Sequence, residues 1–198
     1  MKIGRWAGFA LVLGMVAAPL AAQLGSESDN FLEAVRKADG AKATDHINAR
    51  GSTVVNYRGH NGDAALQIVA RRRDHDWLAW LLSKGADPNA PGAGGDTALI
   101  ISSRIGFDEA VQTLLSMRAK VDLANKLGET ALIVAVQQRH PRTVRRLLEA
   151  GANPDKADHA AGYSARDYAK QDRRSTELLK LIDSVKPMSK ASVGPSIK

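Results

Sequence analysis

The chain repeats itself every 33 residues. Gly62-Asp63-Ala64-Ala65-Leu66, Gly95-Asp96-Thr97-Ala98-Leu99 and Gly128-Glu129-Thr130-Ala131-Leu132 are successive copies of one motif, and Gly162-Tyr163-Ser164-Ala165 follows at 34. Leu81-Leu82, Leu114-Leu115 and Leu147-Leu148 keep the same step, with Leu181-Ile182 again at 34. So do Gly85-Ala86-Asp87-Pro88-Asn89, Arg118-Ala119-Lys120-Val121-Asp122 and Gly151-Ala152-Asn153-Pro154-Asp155. Three markers in one register exclude a single globular core. A unit this short cannot bury its apolar face alone, so neighbours must stack and the end units must turn a polar side outward.

Each unit reads as two helices. Thr97 and Thr130 stand where a hydroxyl can accept from the free N–H groups of a first helix. Leu99, Ile101 and Ser102 then share a face, as do Leu132, Val134 and Ala135. A second helix carries Ala110, Val111, Leu114 and Leu115, and its copy carries Thr143, Val144, Leu147 and Leu148. Pro141 suits the first turn of that copy, and Gly85 and Gly151 suit the left-handed residue that ends such a helix. Two positions depart from the pattern. Arg118 stands where the glycines stand, and Ala64 stands where the capping threonines stand.

At these residues the chain resembles the ankyrin repeat family. The resemblance implies an all-α solenoid of about four to five helix-turn-helix units with short β-turn fingers, degenerate at both ends. It gives repeats over 59–91, 92–124, 125–157 and 158–185. Residues 23–58 read as an N-terminal capping repeat, with helices over 30–38 and 42–49 and an irregular connection over 51–59. At the other end Arg166 takes the place of Leu66, Leu99 and Leu132, which suits a polar cap. Residues 186–198, with little apolar content, read as a disordered basic tail.

The first 22 residues read as a cleavable signal peptide. Lys2 and Arg5 form a basic start, residues 6–20 carry no charge, and Ala21 and Ala22 are small. The uncharged run is shorter than the roughly 20 residues a spanning helix needs. Gly8 and Gly14 also weaken a permanent helix. Cleavage is expected after Ala22, although Leu20 is not ideal three places before the cut end. Export into a bacterial periplasm or the medium follows, and the rest of the chain has no second apolar run. The absence of cysteine excludes disulfides, thiolate zinc sites and a cysteine nucleophile.

Catalytic constellations are scarce. The five histidines lack helical metal spacing. Asp74-His75-Asp76 is the densest local cluster, but adjacent helical residues point different ways, and Asp74 is better placed to start a second helix. Gly92-Ala93-Gly94-Gly95-Asp96 lacks the Lys-Ser/Thr ending of a phosphate loop and reads as a turn tip. No metal, cofactor or catalytic residue is expected. Trp77 and Trp80 read as core filler beside the degenerate N-terminal repeat, the alternative being a binding hot spot.

The resemblance places a partner against the turn tips and first-helix ends. Carried onto this sequence, the tips are His60, Asn61 and Asp63, then Ala93, Gly94 and Asp96, then Lys126, Leu127 and Glu129. The helix ends are Arg71 and Arg72, then Arg104 and Ile105, then Gln137 and Gln138. Asp63, Asp96 and Glu129 form an acidic column, while Arg71 and Arg104 with Gln137 form a largely basic one. The two columns either pair with each other as solvated ion ladders or remain free to select a partner of complementary charge. Under the second reading, charge reversal at Arg71 and Arg104 abolishes binding without altering stability.

The expected function is therefore that of a non-enzymatic, monomeric envelope adaptor for a protein partner, binding no nucleic acid and not inserting into a membrane. The formal charge of +7 and the Arg139–Arg146 cluster support an alternative, a module that binds anions or polyanions.

Overall fold

The computed structural model describes residues 20–49, 52–172, 174 and 176–185, with side chains from Glu27 onward. The described residues contain ten α-helices, two 3₁₀ turns and no β-strand. The helices are α1 (Leu20–Arg36), α2 (Gly40–Asn48), α3 (Ala65–Arg72), α4 (His75–Ser83), α5 (Ala98–Arg104), α6 (Asp108–Ser116), α7 (Ala131–Gln137), α8 (Pro141–Glu149), α9 (Ala165–Gln171) and α10 (Thr176–Ser184). They form five pairs. First helices pack in one row, α1 on α3 on α5 on α7 on α9, and second helices in another, α4 on α6 on α8 on α10. One continuous core runs between the rows from Phe31 to Ile182.

The local chemistry sets the helix ends. Thr97 Oγ1 accepts from Ile100 N at 3.2 Å and Thr130 Oγ1 from Ile133 N at 3.3 Å. Asp74 caps α4 through Trp77 N, and Pro141 opens α8. Gly85 and Gly151 close α4 and α8 in the left-handed region, at φ 88° each. Ala64 caps nothing. Its own N–H instead donates to Gln67 Oε1 at 3.1 Å, and Gln67 Nε2 reaches Ala90 O at 2.7 Å.

The left-handed positions include more non-glycine residues than expected. Arg118 has φ 63°, as anticipated, but Arg73 (58°), Arg139 (57°) and Ala38 (56°) end their first helices the same way. Arg73 and Arg139 are 33 residues either side of Gly106, so the column was present in the sequence. The first two arginines of that set differ in what they gain. Arg73 donates to Ile105 O at 2.6 Å and lies over the Phe107 ring at 5.2 Å, whereas Arg118 has no side-chain partner among the described residues.

The N-terminal unit is longer than expected. α1 already includes residues 20–29, ahead of the start expected at Asn30. α2 begins at Gly40 rather than Lys42, with Asp39 as its cap. The signal segment expected over 1–22 lies outside the described residues as far as residue 19, and the tail expected over 186–198 lies outside them entirely. Within the connection, a 3₁₀ turn covers Val54–Asn56. Asn56 joins it to the array. Asn56, Asn89 and Asp122, again 33 apart, each accept from a backbone N–H one unit on: Asp87, Lys120 and Asn153, at 2.7, 2.7 and 2.9 Å.

Trp77 and Trp80 fill the core only in part. Both are half-buried, packed edge to face with centroids 5.1 Å apart, and they line a shallow groove with Ala38, Gly40 and Thr44.

Candidate functional site

Between each second helix and the next first helix, the chain makes a short finger. A backbone bond ties the two ends of each: Gly59 N to Asp63 O, Gly92 N to Asp96 O, Asn125 N to Glu129 O, Asp158 N to Tyr163 O. Adjacent fingers are also joined. Lys126 N donates to Gly94 O at 3.0 Å and His159 N to Leu127 O at 2.8 Å. That spacing needs glycine at the tip. Gly128 has φ 80°, and a Cβ there would fall 2.5 Å from His159 N, the atom that makes the bond. The fingers and the ends of the first helices together form the surface on which a partner was expected.

The two charged columns meet on this surface, and they pair. Arg71 Nη1 lies 2.5 Å from Asp63 Oδ2 and Nη2 lies 3.2 Å from Asp63 Oδ1. Asp63 is itself buried, and its Oδ1 also accepts from Ala93 N in the next finger. Arg104 Nη2 bridges Asp96 and Glu129, 3.3 Å from each. Asn125, also buried, completes that network. Its Nδ2 donates to Asp96 Oδ1 and Glu129 Oε2 at 2.8 Å each, and its Oδ1 accepts from Leu127 N and Glu129 N. These charges fasten one finger to the next. Reversal of Arg71 and Arg104 would therefore place a carboxylate against carboxylates and alter stability, contrary to the sequence-based expectation.

Asn125 was not visible as a functional position, because its column reads Gly59, Gly92, Asn125. The fourth finger repeats its role with an acid. Asp158 Oδ1 accepts from Ala161 N and Gly162 N, and Oδ2 from the Tyr168 hydroxyl at 2.6 Å. Burial alone would raise the Asp158 pKa, but the Tyr168 hydroxyl and the backbone donors outweigh it and hold the carboxyl below its ordinary range. The same bond, with burial, raises the Tyr168 pKa.

Other expected residues divide by what they already touch. Arg72 is engaged inward. Its Nη1 donates to Val35 O at 2.7 Å and to Arg36 O, its Nη2 to Asp74 Oδ2, and it lies over Trp77. It caps the last carbonyls of α1, where a cation is favoured. Asn61 turns its side chain onto Asp63. Ile105 packs partly against the core, and Gln137 is half-buried. His60, Ala93, Gly94, Lys126, Leu127 and Gln138 are exposed. Leu127 is 56% exposed, and in the next finger Tyr163 is 41% exposed.

The chemistry-bearing residues are dispersed. His75 Nε2 sits 2.9 Å from Thr113 Oγ1 and His140 Nε2 lies 3.2 Å from Arg104 O, while Asp74 is occupied by Trp77 N and Arg72. Among the described residues no group of three His, Asp or Glu side chains is arranged to hold a metal ion. No described helix is long and apolar enough to cross a membrane.

Paired helices stacked in two rows, with fingers bonded edge to edge, define a helical repeat solenoid. Residues 66–158 match the family model of ankyrin repeats in three copies, and the chain is an ankyrin repeat protein. A comparison with curated proteins found no match.

Proposed function

We propose that this protein is a non-enzymatic adaptor of the bacterial cell envelope, holding a protein partner against its fingers and first-helix ends. Ankyrin repeats generally serve protein–protein interaction. Export is inferred from the basic, apolar and small-residue order of residues 1–22.

The observation that carries the reading is the tip of the third finger. Leu127 is the most exposed large apolar side chain among the described residues, and it stands beside exposed Lys126. Its repeat partners are Asn61 and Gly94, so the unit's own packing does not require a leucine there. Tyr163 extends the apolar character to the next finger. The paired Arg71 and Arg104 make the floor behind them ionic but internally neutralised. Such a surface favours a partner with an apolar anchor ringed by polar groups over one recognised by bulk charge.

The test is affinity capture by the full chain from the native host, at physiological salt, beside a Lys126→Glu, Leu127→Asp variant of equal thermal stability. The adaptor reading predicts a defined protein retained by the parent and lost by the variant. Equal retention by both would remove the finger surface from the function.

A further inference from the structure

Thirteen arginines lie among the residues whose side chains are described, and nine of them are tied to something. Arg36, Arg71, Arg104, Arg139, Arg166 and Arg174 meet carboxylates, and Arg58, Arg72 and Arg73 donate to backbone carbonyls. The pairing of Arg139 with Asp172, at 2.6 Å, removes it from the basic cluster seen in the sequence. Apart from Arg118 at the end of α6, Arg142, Arg145 and Arg146 remain, with no side-chain hydrogen bond or ion pair among the described residues. All three lie on α8 at spacings of three and four, so they share one face and repel one another.

The repeat makes their presence conspicuous. The position of Arg142 is Asp76 in α4 and Glu109 in α6, acids that suit the first turn of a helix. A cation in that turn opposes the helix dipole. Arg145 replaces Ala79 and Gln112, and Arg146 replaces Trp80 and Thr113. One second helix has thus exchanged a favourable acid and two neutral side chains for three unneutralised guanidiniums, and its fold requires none of them. They line a groove of about 530 Å³ with Pro141, Glu149 and Leu181, between α8 and α10. Glu149, the last residue of α8, is the one acid in the lining, against three guanidiniums.

We propose that this groove is a second binding site, separate from the fingers, for a phosphate-bearing anion. Guanidinium forks match phosphate oxygens in pairs, and three in five residues exceed what one carboxylate neutralises. The ligand is a free oligophosphate or the phosphate headgroup of an anionic lipid, two sources of one chemistry.

The test uses the full chain, with inorganic tripolyphosphate as one probe and vesicles of phosphatidylcholine, with and without phosphatidylglycerol, as the other. Parent protein is compared with Arg142→Gln, Arg145→Gln, Arg146→Gln and with a control of equal charge change, Lys84→Gln, Arg118→Gln, Lys120→Gln. The control residues are exposed and likewise make no side-chain pair among the described residues. Binding by the parent is expected to weaken with salt and to fall about tenfold or more in the α8 variant, while the control keeps it. Response to tripolyphosphate assigns the free anion, and response only to the phosphatidylglycerol vesicles assigns the headgroup. No binding to either probe at low salt, an α8 variant that binds like the parent, or a control that loses as much would each overturn the site.

Discussion

Single residues in this array are set by their column as much as by their neighbours. Ser102 and Ser103 are fully buried in α5 and their hydroxyls have no hydrogen-bond partner, while the same columns hold Val69 with Ala135 and Ala70 with Val136. Replacing both serines with alanine removes two unsatisfied donors and should stabilise the chain by about 1–2 kcal/mol, read as a higher urea midpoint. The left-handed arginines should respond in opposite directions. Arg118→Gly relieves a φ of 63° that no contact repays, and should gain about 1 kcal/mol in thermal denaturation. Arg73→Gly relieves the same strain but forfeits the bond to Ile105 O and the Phe107 stacking, so no gain is expected. The strain at Arg118 was legible because both neighbouring repeats show glycine in its column, Gly85 and Gly151. The strain at Arg73 was not, because its column shows glycine only once and its compensation comes from the following repeat.

Finger and helix ends are where the sequence was least informative. The period and the apolar faces place every helix from α3 to α10, since burial needs only residue type and spacing. The pairing between columns depends on which rotamer each long side chain takes, and spacing cannot decide that. Asp63 and Arg71, Asp96 and Arg104 were visible as ladders, yet whether they joined or stood apart was open until the geometry placed them together. Arg104→Glu should cost on the order of 1–2 kcal/mol, because it faces Asp96 and Glu129 without a cation, and Asn125→Ala should cost about as much by removing the donor both acids share. Denaturant midpoints check both. In the fourth finger the sign of the pH effect follows from Asp158. Its folded pKa lies below the ordinary carboxylate value, so its stabilisation is present above that value and is lost as pH falls through the folded pKa. The stability of the parent should therefore decline on acidification below about pH 4, and Asp158→Asn should flatten that decline while lowering stability near neutrality.

For the molecule as a whole, the sequence specified a helical array of about five units. It could not specify which part of the surface is spoken for, because that depends on contacts between repeats. The structure divides the surface into two kinds. The ionic floor and Arg72 hold repeats together, and His60 meets Asp29 of α1 at 3.3 Å, whereas Lys126, Leu127, Gln138 and, on the other row, Arg142, Arg145 and Arg146 answer no internal need. The adaptor reading rests on the first free set. Its most direct measurement is photocrosslinking in the native host, with a photoreactive residue placed in turn at Leu127, Gln138 and, on the outer helix, Gln112. A single protein adduct from positions 127 and 138, absent from 112, is the predicted result. Adducts arising from 112 alone, or none from the fingers, would contradict it.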